Sequence, residues 1–148
     1  MNIAATSDAI ARSAFAEIAR RFPQLKMVED SDGPVEISIS IPVQDGLKYR
    51  VWLALQNIDE LHFSVEGFWV EWFPCTDPVR VRSYLDAVIG FLEGRYRVLE
   101  RLRGSSCVSA ELQGPAEDGW PAIKKGRHVK IPTSWKVTYR EIRNTSSV

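Results

Sequence analysis

Two stretches of the chain repeat their apolar residues at the three- and four-residue spacing of an α-helix. The first predicts a helix over residues 8–22, capped by Thr6 or Ser7. The second predicts a helix over residues 78–93 that begins on Pro78, a residue favoured at the first helical position because it lacks an N–H that would go unbonded there. Each helix gathers its apolar side chains on one side, so each predicts a surface for packing.

Between these helices the pattern changes to an alternation of apolar and polar residues, which is typical of half-buried strands. Residues 35–43 and 47–56 both alternate in this way. Because cross-strand neighbours must share a face, we predict a three-residue loop over residues 44–46 that places Ile41 opposite Tyr49. The glycine that ends this loop suits the left-handed conformation that such a loop needs.

A third strand follows a turn at residues 57–59, and its apolar residues match those of the second strand. Beyond Gly67 the apolar positions shift by one, which predicts a bulge at Glu66-Gly67 within one long strand. The opposite face of this meander is polar and aromatic, and it carries Arg50, Trp52, His62, Ser64, Glu66 and Trp69.

After the second helix the sequence predicts more antiparallel strands. Residues 95–103 and 107–113 form a pair around a short turn that contains glycine and serine. Residues 134–142 predict a final strand, whereas residues 120–132 fit either a strand or a loop. Residues 143–148 predict a frayed tail.

Together the elements run α-β-β-β-α-β-β-(β)-β. This order predicts an α+β fold with an antiparallel sheet built from two meanders, each preceded by a helix, and with the helices packed on one face. No linker-like segment interrupts the chain, so residues 1–148 predict a single domain. The opening order of one helix and three strands resembles that of small bacterial secretion chaperones and some toxin-immunity proteins, although no motif accompanies the likeness.

The composition agrees with a globular domain and excludes several other classes of protein. Hydrophobic residues make up 45% and charged residues 26% of the 148 residues, which excludes collagen, coiled coil, low-complexity disorder and a disulfide scaffold. The net charge of zero combines two unequal halves, because residues 1–74 carry 6 basic and 11 acidic side chains and residues 75–148 carry 13 and 8. Either the halves neutralise each other in the fold, or the molecule presents faces of opposite charge.

Nothing in the sequence predicts export or insertion into a membrane. The N-terminal residues lack the basic and apolar regions of a signal peptide, and no apolar stretch approaches the roughly 18 residues that a membrane span needs. Cys75 and Cys107 are isolated, without the spacing of a metal site. We therefore expect a soluble cytoplasmic protein with reduced cysteines, no metal and no cofactor.

The sequence carries no motif for nucleotide binding, serine hydrolysis or zinc proteolysis. His62, Ser64 and Glu66 are nominally a base, a nucleophile and an acid. Successive residues on one strand face stand about 7 Å apart, however, which is beyond the reach of a hydrogen bond. The run from Asp30 to Gly33 lacks the later carboxylate of a calcium loop. We therefore favour a protein without catalytic activity.

The aromatic residues on the polar strand face are the first candidate binding site, because tryptophan and arginine are enriched where proteins contact each other. The leading hypothesis is a small protein-binding or adaptor module that contacts a protein partner or a second copy of itself. The residues that would make this contact are Arg50, Trp52, His62, Glu66 and Trp69. The alternative is that the C-terminal half folds over both tryptophans and buries them.

A basic segment is the second candidate. Residues 95–143 carry 11 basic and 5 acidic side chains, and the excess is densest between residues 124 and 130. Nucleic acid or another phosphate-bearing ligand would contact Lys124, Lys125, Arg127, His128 and Lys130. The simpler interpretation is a solvated strand whose charges discourage edge-to-edge association. A third hypothesis is a domain that encloses a small-ligand pocket, or an active site that no motif reveals.

Overall fold

The computed structural model describes residues 2–144 as two helices and nine strands. In chain order the elements are α1 (Ile3–Arg21), β1 (Val28–Asp30), β2 (Ile37–Ile41), β3 (Val51–Gln56), β4 (Glu60–Val65), β5 (Phe68–Trp72), α2 (Pro78–Leu92), β6 (Arg97–Arg103), β7 (Ser106–Gln113), β8 (Ala122–His128) and β9 (Thr138–Ile142). Strands β1 to β5 form one antiparallel sheet in chain order, and the other four form a second sheet in the order β8-β7-β6-β9. The predicted α+β class is confirmed, with two sheets in place of one.

The inner face of the first sheet carries the alternating apolar residues and packs against the helices. Phe63 of β4 is fully buried, with its ring centroid 5.6 Å from that of Phe68 and 5.8 Å from that of Phe91 on α2. Phe15 of α1 meets Tyr84 of α2 edge to face at 6.4 Å. The same hydrophobic cluster extends into the second sheet through Val98, Ala110, Leu112 and Ile142.

Both predicted helices are present. Asp77 caps α2 by accepting a hydrogen bond from a backbone N–H of the first turn at 2.9 Å, and α2 begins on Pro78 as predicted. α1 begins at Ile3 rather than at residue 8, because the side chain of Asn2 accepts the N-terminal hydrogen bond. Asn2 therefore takes the capping role that was predicted for Thr6 or Ser7.

The hairpin between β2 and β3 differs from the predicted one. Ile41 lies opposite Val51 instead of Tyr49. The predicted three-residue loop is also wrong, because reciprocal backbone hydrogen bonds of 3.1 and 2.9 Å join Gln44 and Leu47 across a two-residue turn. The glycine of this turn has a φ of 88° and so adopts the left-handed conformation that was predicted. A two-residue turn reverses which residues of the second strand face the core. The irregular stretch at residues 48–50 reverses this again, so β3 keeps the predicted faces.

The predicted bulge at Glu66-Gly67 is wrong, because these two residues form a tight turn between β4 and β5. Val65 lies directly opposite Phe68 on the far side of the turn, and Glu66 has a left-handed φ of 51°. A bulge of one residue and a turn of two residues both shift the alternation of faces by one. The pattern of apolar residues therefore fits both, and tertiary packing selects the turn.

The second sheet packs beside β5 of the first. Gly126 of β8 lies against this strand, where an added Cβ would stand 3.1 Å from Val70 and 3.2 Å from Phe68. β8 arises from the stretch that fits either a strand or a loop, and β9 is a shorter form of the predicted final strand. The short strand β1, which is exposed throughout, was not predicted.

The end of the described chain is tied to the fold. Asn144, which was predicted to be frayed, is buried and donates hydrogen bonds of 2.8 Å to the carbonyl of Leu92 and 2.9 Å to that of Gly46. Arg143 donates to the carbonyl of Gly94 at 2.8 Å. The rest of the predicted tail lies outside the described residues. No described helix combines the length and the apolar character that a membrane span requires.

Ion pairs join the acidic and the basic halves of the chain. Glu17 of α1 pairs with Arg82 of α2 at 3.3 Å, and Glu66 pairs with Arg140 of β9 at the same distance. The two halves therefore neutralise each other in part. A basic excess remains on the outer face of the second sheet, at a cleft that Arg101 and residues 125–128 help to line.

Candidate functional site

Two tryptophans lie on the outer face of the first sheet. Ser64 of β4 separates Trp52 of β3 from Trp69 of β5 in one cross-strand row. The ring centroids of the tryptophans are 5.8 Å apart and their planes are nearly perpendicular, at 87°. Trp52 is half-buried, whereas Trp69 is 55% exposed. The alternative in which the C-terminal half buries both side chains is therefore wrong.

His62 lies beneath the two tryptophans and fixes the orientation of Trp69. Its side chain is buried, and its Nδ1 accepts the indole N–H of Trp69 at 2.8 Å. Because an indole N–H can only donate, Nδ1 is the acceptor in this contact, and the other ring nitrogen, Nε2, lies 3.0 Å from Glu60 Oε1. The indole of Trp52 donates to Ser38 Oγ at 2.8 Å. Both aromatic rings are thus oriented by hydrogen bonds inside the protein.

The tryptophans form the wall of an open cleft of about 510 Å³, a volume in the range of ligand-binding pockets. We call it the tryptophan cleft, and its lining residues are Arg50, Trp52, Ser64, Val65, Glu66 and Trp69. Four of the five residues predicted to contact a partner line this cleft. The fifth, His62, supports it from below.

The rim of the tryptophan cleft carries one charge of each sign. Arg50 donates to Ser40 Oγ at 2.8 Å. Glu66 forms an ion pair with Arg140, which belongs to β9 of the second sheet. The cleft therefore combines an apolar aromatic wall with two charged groups, and neither charge is buried.

A buried carboxylate lies under the turn at the edge of this cleft. Glu100 of β6 accepts the backbone N–H of Gly67 at 2.7 Å, and its other oxygen lies 3.6 Å from Arg140. Burial raises the pKa of the nearby Cys107 thiol, and the negative charge of Glu100 raises it further. This thiol is therefore protonated at neutral pH and is a weak nucleophile.

The predicted basic segment is divided between two surfaces. Lys124 packs with its Nζ 4.9 Å from the ring centroid of Trp72, and its pKa is lowered mainly by burial and further by Arg80. Lys130 lies beyond β8 and is exposed. A second cleft of about 500 Å³, on the outer face of the second sheet, is lined in part by Lys125, Arg127 and His128.

The nominal set of base, nucleophile and acid is not assembled as a triad. Both ring nitrogens of His62 are engaged, with Trp69 and Glu60, and neither contacts Ser64. Within residues 2–144, no three His, Cys, Asp or Glu side chains are grouped so that they could hold a metal ion.

Several residues of the tryptophan cleft and its support were not predicted. Val65 lies next to the turn, so the interpretation of that turn as a bulge concealed its position. Ser38 and Glu60 act through hydrogen bonds beneath the cleft, and their alternation with apolar residues was the available signal. Arg140 lies 74 residues from its partner Glu66, and no local pattern reports such a contact.

Comparisons with known proteins leave the function open. No protein-family model, curated protein or solved structure gives a significant match to the chain. The functional argument therefore rests on the geometry and the chemistry of the two clefts.

Replacing His62 with phenylalanine tests its support of Trp69. His62→Phe keeps an aromatic ring but removes the acceptor of the indole N–H, which is worth about 1 kcal/mol. We expect the Trp69 indole proton to exchange with solvent roughly fivefold faster, because that is the factor equivalent to about 1 kcal/mol. The measurement is hydrogen exchange of the indole resonances by NMR, with the Trp69 signal assigned by its loss in Trp69→Phe. The Trp135 indole serves as control, and equal acceleration at both would contradict the assigned role.

Proposed function

We propose that this protein is a non-catalytic binding module and that the tryptophan cleft contacts a protein partner. The exposure of Trp69 is the observation that carries this proposal. A large aromatic ring that is 55% exposed gains apolar burial when a partner covers it. Tryptophan and arginine are also the residue types that contribute most to protein interfaces.

The fixed orientation of the aromatic rings supports the same function. A side chain that is already held in one conformation loses little conformational entropy on binding. Trp69 is held by His62, and Trp52 is held by Ser38. The cleft therefore favours a side chain of a partner that packs against two perpendicular indoles, with the charged side chains of Arg50 and Glu66 at its rim.

The proposed absence of catalysis rests on the arrangement of the polar groups. General acid–base catalysis needs a side chain that can exchange a proton with a substrate held within hydrogen-bond distance. His62 is buried and uses both nitrogens inside the protein, and Glu66 is engaged by Arg140. The exposed surface of the cleft is therefore suited to contact rather than to proton transfer.

Replacing Trp69 with alanine tests the proposal. We expect Trp69→Ala to weaken partner binding by about 2 kcal/mol or more, which is roughly 30-fold, because central tryptophans are typical interface hot spots. The partner is captured with tagged wild-type protein, and its affinity is then measured with both variants in purified form. Sedimentation over a range of concentrations tests self-association in the same way.

The matched control is Trp135→Ala. Trp135 is also exposed but lies outside the tryptophan cleft, where Arg103 stacks on it with the guanidinium carbon 3.2 Å from the ring centroid. Trp135→Ala is expected to bind as the wild type does. The proposal fails if both variants bind equally well, or if the wild type recovers no partner and remains a monomer at all concentrations.

A further inference from the structure

The cleft on the outer face of the second sheet gathers residues from all four strands. His128 of β8, Ser109 of β7, Arg101 of β6 and Tyr139 of β9 are successive cross-strand neighbours in one row. All four line the cleft, together with Lys125 and Arg127, and its volume is about 500 Å³. This volume lies within the range of small-molecule binding sites.

A β-bulge concentrates the positive charge of β8 on this face. Lys125 lies opposite Glu111 and His128 lies opposite Ser109, so two residues of β8 oppose a single residue of β7. In a regular strand the side chains of residues 125 and 128 would point to opposite faces. The bulge places both of them, and the intervening Arg127, along the same cleft.

Gly126, within the bulge, faces the interior and packs closely there. A Cβ at this position would lie 3.0 Å from the carbonyl oxygen of Ala110 and almost as close to the first sheet. The bulge therefore packs against the first sheet at Gly126, whereas Lys125, Arg127 and His128 line the cleft on the outer face.

One carboxylate, that of Glu111, also lines this cleft, and it accepts a hydrogen bond from the side-chain amide of Gln113 at 3.0 Å. Among the described residues, no carboxylate lies within ion-pair distance of Arg101, Lys125 or Arg127. The Nε of Arg101 is also buried without a hydrogen-bond partner in this part of the chain. Other basic side chains of the second sheet already have partners, because Arg97 pairs with Glu141 and Arg140 lies within ion-pair distance of Glu66 and Glu100. Arg143, just beyond β9, donates to a backbone carbonyl.

The other end of the row supplies an aromatic surface. Tyr139 is 63% exposed and is the direct cross-strand neighbour of Arg101. The row from Tyr139 to His128 spans three strand spacings, or about 14 Å. Exposed aromatic rings beside a cationic surface are the means by which proteins stack nucleobases while they bind the phosphates.

We propose that this cleft binds a nucleoside phosphate, with the phosphate on Arg101, Lys125 and Arg127 and the base against Tyr139. The inference does not rest on the proposed function, because the tryptophan cleft lies on the other sheet. The nucleoside phosphate has two possible sources, a free nucleotide and a unit of a single-stranded nucleic acid, and the test separates them.

The test measures binding of ATP, of a 12-nucleotide single-stranded DNA and of inorganic pyrophosphate to the full-length protein at low salt. We expect the double variant Lys125→Gln/Arg127→Gln to bind both nucleotide ligands at least roughly tenfold more weakly, because each hydrogen bond between charged groups contributes on that scale. Tyr139→Ala is expected to weaken the two nucleotide ligands and to leave pyrophosphate unchanged, since only the nucleotides carry a base.

The matched control is Lys124→Gln/Lys130→Gln, which makes the same change in net charge outside this cleft. It is expected to bind as the wild type does. Tighter binding of the DNA, with a steep loss between low and moderate salt, identifies nucleic acid as the source, whereas equal or tighter binding of ATP identifies the free nucleotide. The inference is overturned if neither ligand binds at low salt, if both double variants lose affinity equally, or if Tyr139→Ala weakens pyrophosphate as much as it weakens ATP.

Discussion

Phe63→Ala is expected to lower the free energy of unfolding by about 3–5 kcal/mol, the usual loss when a buried phenylalanine is truncated. Phe63 lies at the centre of the core and contacts the rings of Phe68 and Phe91. Removal of the ring leaves a cavity between the first sheet and α2, because the surrounding structure relaxes only in part. Since domains of this size have a total stability of about 5–15 kcal/mol, the loss is a large fraction of the whole.

Urea denaturation followed by circular dichroism measures this loss. The control is Tyr139→Ala, which truncates an exposed aromatic residue and is expected to change the stability by less than about 1 kcal/mol. A loss below about 1.5 kcal/mol for Phe63→Ala would show that the core collapses around the missing ring, contrary to the packing described here.

Gly67→Ala is expected to destabilise the protein by about 3 kcal/mol, because the turn between β4 and β5 touches the second sheet. An added Cβ would lie 2.6 Å from Glu100 Oε2 and 2.7 Å from Cys107 Sγ. Glu100 is also the acceptor of the Gly67 backbone N–H, so the same methyl group displaces a charge-assisted hydrogen bond. Steric overlap and the lost hydrogen bond therefore act together at one position.

The control for this variant is Gly33→Ala. Gly33 has no neighbouring atom within 4 Å of an added Cβ, so the substitution is expected to be neutral or slightly stabilising. The free energy of unfolding of both variants is measured by urea denaturation. Equal stability of Gly67→Ala and Gly33→Ala would contradict the close contact of Gly67 with Glu100 and Cys107 of the second sheet.

The local elements of the fold could be predicted because their signals lie in a few neighbouring residues. Asp77 and Pro78 mark the start of α2, since capping and the absence of an N–H act within one helical turn. The pairing of Leu53 with Phe63 follows from the alternation of two strands joined by a short turn. α1 is the partial exception, because several polar residues near its start can serve as the cap and Asn2 does so.

The register of the first hairpin shows where alternation stops being informative. Ile41 keeps its side chain on the same face whether Tyr49 or Val51 lies opposite, because a shift of two residues preserves the faces. The choice between these pairings depends on the burial of Leu47 and on the irregular stretch after the turn. Both depend on contacts with the rest of the molecule.

The residues of the tryptophan cleft were largely predicted, although their roles were not. The alternation placed Trp52, His62 and Trp69 on one face, because that inference needs only the period of a strand. It did not distinguish the exposed Trp69 from the buried His62, since exposure depends on what covers the sheet. The contact between Glu66 and Arg140 is likewise invisible to a local pattern.

By itself, the sequence determined the class of the fold, both helices, the strand faces and the uneven distribution of charge. These features depend on the spacing and chemistry of residues close together in the chain. The tertiary structure alone decided that the strands form two sheets, that Trp69 is exposed, and that a bulge beside Gly126 gathers Lys125, Arg127 and His128 along one cleft. Each of these outcomes depends on which distant surfaces pack together, and a periodic pattern carries no information about that choice.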